Sequence, residues 1–319
     1  MRVDLVGSSN VSNVSANPSA TKIALSDESG LWQATVSAQG AALLRLTRDG
    51  SELVTAPSTA AFNSFAGLTL APWPNRLAAG SWQLGERKFQ GTINEPARNT
   101  ALHGLVFDRQ FKVRHHFPSE VTFSLLLGTD AAYPFAVEVL VTYRLFATGL
   151  EVELGAINHD AGPAAPFGIG SHPYFVVEPD STLALPAQSV IVTDPNLIPT
   201  GSAPADSCGV ELQQTVPVEQ LALDHCFTDL VAEADNRSRT RLSRPTLHGS
   251  TVVWQDKSFD HLMVFTLFGA LSGQPNSPVA VEPQTCAANA LQSGEGLIWL
   301  APETPWSARW GVEFEEDAP

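Results

Sequence analysis

The chain has 319 residues, 44% of them hydrophobic, which is enough for a sizeable core. Its 33 acidic and 18 basic residues give a formal charge of −15, a balance that repels phosphate backbones and anionic membrane surfaces and argues against nucleic acid as a partner. Three widely spaced cysteines, Cys208, Cys226 and Cys286, form no Cys-x-x-Cys pair, so they read as free thiols in a reducing, cytoplasmic compartment and not as a disulfide framework or a zinc site.

Residues 1–21 read as a flexible leader rich in Ser and Asn, because Asp4 and the polar tract after it interrupt the apolar run that a secretory signal needs. No stretch is long and apolar enough to predict a membrane span. From Lys22 onward, short runs of Val, Ile, Leu, Thr and aromatic residues alternate with Gly, Pro, Asn and Asp, which is the punctuation of strands. Strands are predicted at 31–37, 41–47 and 52–55, then a hairpin about Gly85 over 81–90, then long strands at 121–127, 135–146 and 150–157. Glu151 and Glu153 alternate with Val152 and Leu154 in the last of these, so the two glutamates belong on a wetted face. Further strands follow at 182–185, 190–193, 227–232, 251–254, 261–268, 279–282, 296–300 and 306–314, and residues 194–220 form the longest predicted loop. With helical periodicity nearly absent and no break in composition after residue 22, residues 22–319 read as one domain: an all-β, large antiparallel β-sandwich.

Several segments carry side chains suited to chemistry. In Pro72-Trp-Pro-Asn-Arg-Leu77, Arg76 offers a planar fork of donors that Asn75 can orient, and Trp73 offers a flat platform for a ring. His103 precedes Gly104, where a ligand can approach the backbone closely. His115 and His116 are adjacent and would diverge on a strand, as would Asp224 and His225 in Leu223-Asp-His-Cys-Phe227, so only one of each pair can face a pocket. Cys226 has no other support as a nucleophile. His172 and Glu282 each stand directly before a proline, in Ser171-His-Pro-Tyr-Phe175 and Val281-Glu-Pro-Gln-Thr-Cys286. A proline biases the residue before it toward extended backbone, so both side chains are expected to project from rigid strand margins as an acid and a base.

Taken together and in order, Asn75-Arg76, Asn94-Glu95, Leu102-His103-Gly104, Ser171–Phe175, Leu223–Phe227 and Val281–Cys286 resemble the segments of the aldose 1-epimerase (galactose mutarotase) family over about residues 70 to 290. The resemblance implies a galactose mutarotase-like supersandwich that interconverts the α and β anomers of a free aldohexose, with a small-molecule sugar as its partner and neither metal nor cofactor. It implies Glu282 as general base on the anomeric hydroxyl, His172 as general acid at the ring oxygen and His103 as a second histidine beside that oxygen. Arg76, with Asn75, and Asp224 would hold sugar hydroxyls. The segment Leu77-Ala-Ala-Gly80 is less glycine-rich than the family's usual one. Opening a hemiacetal needs one proton removed and one delivered, which fits an ionised Glu282 and a His172 kept protonated by nearby carboxylates. Three other readings stay open at this point: a hexose 6-phosphate epimerase using Arg109 and Arg114, a non-catalytic carbohydrate-binding module, and a glycosidase with Asp224 as its second carboxylate.

Overall fold

The computed structural model describes residues 21–56, 65–209, 211–266 and 278–318. The expected leader therefore lies, except for Thr21, outside the described residues. Two large antiparallel sheets form the molecule. The twelve-stranded one runs Lys22–Ser26, Trp32–Ser37, Ala42–Arg48, Ser51–Thr55, Tyr174–Phe175, Val279–Gln284, His261–Thr266, Asp224–Leu230, Ala187–Thr193 and Pro199–Pro204, with Thr69–Leu70 and Gly170–Ser171 attached beside Val279–Gln284. The nine-stranded one runs Lys112–Phe117, Glu120–Leu127, Val137–Phe146, Gly149–Asn158, Trp306–Glu316, Gly249–Asp256, Arg237–Arg244, Thr182–Ala184 and Val216–Pro217.

The alternation of apolar and polar residues decides how the sheets meet. Val137, Val139, Val141 and Tyr143 point inward from one strand while Glu138, Leu140 and Thr142 between them are half-buried, and Val279, Val281, Leu262, Val264 and Phe227 supply the facing layer. Both sets belong to a single apolar cluster. Polar ties cross it: the Tyr143 hydroxyl donates to Ala41 O at 2.6 Å, the Trp310 indole to Ser171 Oγ at 3.1 Å, and the buried Arg244 to both Glu178 and Glu52 O. Glu151 and Glu153 stand on the outer face as expected, and each pairs with an arginine, Arg144 and Arg309.

Three strands lie where the sequence gives weak signals. Arg237–Arg244 buries Ser238, Thr240, Leu242 and Arg244 and turns Arg237, Arg239, Arg241 and Ser243 outward, so its inward face carries a single aliphatic side chain and the pattern imitates a loop. The Lys112–Phe117 strand is exposed throughout and is held only at one side, as an edge. The expected 194–220 loop contains the strand Pro199–Pro204.

Candidate active site

Strand register brings His172 and Glu282 together. Gly170 pairs with Gln284 and Tyr174 with Ala280 on the Val279–Gln284 strand, and the same register carried across the gap between them sets His172 opposite Glu282. His172 Nε2 lies 3.3 Å from Glu282 Oε1, and both side chains are almost wholly buried. Contrary to the expectation of a strand margin, Glu282 sits inside a six-residue strand paired on both sides. By the same register Pro283 falls opposite Ser171, between the donors Val281 and Thr285 that reach Pro173 O and Ile169 O, and having no N–H it leaves that rung of the ladder without a donor.

The backbone around His172 is clamped: its N–H donates to Leu68 O at 3.0 Å and its carbonyl accepts from Gly67 at 2.8 Å. Its ring stacks at a tilt on those of Phe65 (6.4 Å, 23°) and Tyr174 (5.1 Å, 30°). The His103 ring meets it edge-on at 5.4 Å and touches Phe65 at 4.4 Å.

Arg76 and His103 belong to one small unit. Arg76–Ala78 pairs with Thr100–Leu102, and the Asn94 amide closes the end of this ribbon by accepting from Leu102 N at 2.6 Å and donating to Leu102 O at 3.0 Å. Arg76 grips Glu95 bidentately, Nε to Oε2 at 2.8 Å and Nη2 to Oε1 at 3.0 Å, while Asn75 Oδ1 accepts from its Nη1 at 3.3 Å. Asn75 thus orients Arg76 as expected, but Glu95 does most of the holding. Burial alone would raise the Glu95 carboxyl; hydrogen bonds from Arg76 and Thr100 and the charges of Arg76 and Arg98 outweigh it and hold the group below its ordinary value. Among the described residues, two of the five Arg76 N–H bonds stay uncommitted.

Asn75 and His103 also bind each other. His103 N–H donates to Asn75 O at 2.8 Å, and Asn75 N–H donates to His103 Nδ1 at 3.2 Å. With Nδ1 accepting, the proton of a neutral imidazole sits on Nε2. Burial, then the neighbouring His172 and Arg76, push the His103 pKa well down, so the ring is a fixed neutral donor. Gly104 is needed for a different reason from the one expected: a Cβ there would lie 2.1 Å from Ala71 O at a φ of +75°, so the close approach is by the chain's own backbone.

Asp224 shares a face with Glu282. It pairs with Phe265, Phe265 with Ala280 and Ala280 with Tyr174, and the next row on that face is Cys226, Met263 and Glu282. His225 turns to the opposite face. This is the face turned away from the core between the sheets, and the ribbon with Arg76 and His103 covers it over a small cluster of Phe65, Leu68, Leu70 and Leu102.

Burial dominates the proton states. It pushes the Glu282 carboxyl well above the usual carboxylate range; Asp224's charge adds to this, and Gln284's hydrogen bond and Arg76's charge oppose it. Burial also pushes His172 down to about 4. Against the expectation of an ionised glutamate beside a histidine held protonated, removal from water shifts both groups toward their neutral forms. Burial likewise raises the Cys226 thiol, which disfavours a nucleophilic thiolate.

Trp73 is core, its indole donating to Ala101 O at 3.3 Å, and offers no sugar platform. His115 lies on the exposed edge strand against Glu120, and among the described residues no group of three His, Cys, Asp or Glu is placed to hold a metal ion. A groove of about 480 Å³ between Ala34, Arg45 and Phe117 lies elsewhere and contains none of the site residues. Two residues were missed in the sequence: Glu95 as the anchor of Arg76, and Gln284, whose amide Nε2 donates to Glu282 Oε2 at 3.0 Å. Period two along a strand places Gln284 beside Glu282, so that signal was present.

The two antiparallel sheets, with a histidine and a glutamate in contact on one face of the larger, have the build of a galactose mutarotase-like protein. The profile of the family described as aldose 1-epimerase matches residues 21–312. The chain belongs to the aldose 1-epimerase family, a family of mutarotase-like sugar epimerases. It is 30% identical over 284 residues to the uncharacterized protein YihR of Escherichia coli (strain K12), covering 86% of this chain and 88% of that one. Its fold is similar to that of the GalM/aldose epimerase homologue from C. elegans (TM-score 0.79, 17% identity, 94% of this chain and 100% of that one). It is also similar to that of the galactose 1-epimerase from Lactobacillus acidophilus NCFM (TM-score 0.75, 18% identity, 94% and 95%). Among the described residues no helix is long and apolar enough to cross a membrane.

Proposed function

We propose that this protein interconverts the α and β anomers of a free, uncharged aldohexose by acid–base ring opening and reclosure. The observation that carries the reading is the buried 3.3 Å contact between His172 and Glu282. The two oxygens that exchange protons in mutarotation, the anomeric hydroxyl and the ring oxygen, are bonded to the same carbon. An acid and a base serving them must both lie within hydrogen-bond reach of that one carbon's oxygens, and two groups this close together can do so.

In this reading the pair starts neutral with one shared proton on the carboxyl, and moving that proton from Glu282 Oε1 to His172 Nε2 creates the carboxylate and imidazolium that the reaction uses. Glu282 then takes the proton of the anomeric hydroxyl while His172 gives its proton to the ring oxygen, the C1–O5 bond breaks, and an open-chain aldehyde remains. The pair is back in its neutral form, the one that burial favours. Rotation about C1–C2 turns the other face of the carbonyl to the O5 hydroxyl; on reclosure His172 recovers its proton and Glu282 returns its own to the carbonyl oxygen. The neutral His103 donates from Nε2 toward the ring oxygen, and Arg76 and Asp224 hold hydroxyls that do not react.

The 6-phosphate variant asks for a cation free to meet the phosphate. Arg114 lies on the edge strand of the other sheet against Glu138, and Arg109 is exposed beside its own neighbour Asp108. Arg76 is the cation whose charge reaches Glu282, and Glu95 neutralises it. Polarimetry of freshly dissolved α-glucose and α-galactose is the direct test: catalytic amounts of protein should hasten the drift to equilibrium for at least one sugar. An unchanged drift, with sugar binding retained, would make the protein a binding module.

Within this reading Asp224→Ala should raise KM about tenfold or more, the effect of losing one charge-assisted hydrogen bond, and lower kcat less. Arg76→Ala should add a loss of stability, visible as a lower urea midpoint, because it strips the bidentate partner from the buried Glu95. Asp224→Ala kinetics equal to those of the parent would remove Asp224 from the sugar site.

A further inference from the structure

Gln284 is completely buried, yet only half of its amide is used: Nε2 donates to Glu282 Oε2 at 3.0 Å, and among the described residues Oε1 has no hydrogen-bond partner. An orphaned buried carbonyl is costly, and an apolar side chain of similar volume would fill the same place without that cost. The contact on Glu282 therefore asks for an explanation beyond packing. It has a geometric one. Glu282 Oε1 meets His172 and Oε2 meets Gln284, so the two carboxyl oxygens are distinguished and the group cannot rotate freely between them.

We infer that Gln284 is a positioning residue, whose amide fixes the Glu282 carboxyl with Oε1 toward His172 and steadies the charge Glu282 takes on when its proton crosses to the imidazole. This rests on the acid–base reading above. The neighbouring Gly170 leaves room for the Gln284 side chain, since a Cβ there would lie 3.0 Å from Gln284 Cγ. The other titratable groups facing Glu282 are His172, Arg76, Asp224, Tyr174 and Cys226, from three separate segments. Substitution of Gln284 leaves all of them in place, so a moved pH limb reports the amide.

The experiment compares Gln284→Met and Gln284→Glu in mutarotation assays across pH, with Glu282→Gln as the reference. Gln284→Met keeps the volume and removes the donor; kcat should fall about 10–100-fold with KM nearly unchanged, and the high-pH limb should move upward because the carboxylate is harder to form. In Gln284→Glu the introduced carboxylate repels Glu282 at neutral pH, but once protonated it donates an O–H in the amide's place. Its activity relative to the parent should therefore recover as the pH is lowered, a signature that a purely structural role would not produce. A parental kcat and pH profile in folded Gln284→Met overturns the inference, even if its unfolding midpoint is lower. If Gln284→Met does not fold, the acid recovery of Gln284→Glu decides, and its absence overturns the inference. An active Glu282→Gln would instead bring down the acid–base reading itself, so the two failures are distinct.

Discussion

Glu282→Gln should lower turnover by at least about 10²-fold while changing KM far less, since general-base catalysis contributes typically about 10²–10⁴-fold and the substitution preserves shape. The local structure gives the variant every chance to fold. Its amide oxygen can still accept from Gln284, its other terminus stays beside His172, and the cost of burying an ionisable carboxyl disappears. The thermal midpoint should therefore match or exceed that of the parent, and a loss of rate in this variant can be assigned to chemistry. Polarimetry at neutral pH and a thermal melt on the same preparation make the measurement. Near-normal mutarotation would falsify the base assignment and return attention to a binding module or to Asp224.

Much of the fold was legible because a sheet with one packed face writes itself into the sequence with period two. The Val137–Phe146 and Gly149–Asn158 strands declare themselves through alternation and hydrophobicity. Arg237–Arg244 does not, because Leu242 is its one buried aliphatic residue and its outward arginines, Arg237, Arg239 and Arg241, pair with Glu313, Glu233 and Glu315. Only the neighbouring strands make it a strand.

The site divides in the same way. His172, Glu282, Asp224, Arg76 and His103 were readable as types at particular places in the chain, and the register of Val279–Gln284 and the ribbon of Arg76–Ala78 bring them to one face. Their proton states were not readable. The sequence shows carboxylates near a histidine, which would raise the histidine; the fold removes both from water, and desolvation reverses each shift. The part played by Glu95 was hidden for a related reason, since a glutamate in a loop reads as solvated until its three donors, Arg76, Arg98 and Thr100, are seen to converge on it.

His172→Asn should lower turnover by about 10²-fold or more, and the double variant with Glu282→Gln should be no worse than the slower single by more than a small factor. The reason is that the pair handles one proton between two contacting atoms; once either partner is gone, the other has nothing to exchange with. Independent contributions would instead multiply, and a double variant slower by the product of the two losses would show that the residues act in separate steps. The pH profile adds a second check whose signs follow from burial. At low pH a second proton enters the pair on His172, near its depressed value of about 4, and no base remains; at high pH the carboxyl proton is lost as the raised Glu282 value is passed, and no acid remains. Activity should thus hold a plateau between the two, with the acid limb governed by the imidazole and the alkaline limb by the carboxyl, the reverse of what their ordinary values would give. Because the groups touch, each limb belongs to the pair as a whole. In His172→Asn the site that takes the second proton is absent, so the acid limb should vanish from the residual activity while the alkaline limb stays; an unchanged acid limb in that variant would place its origin in some other group.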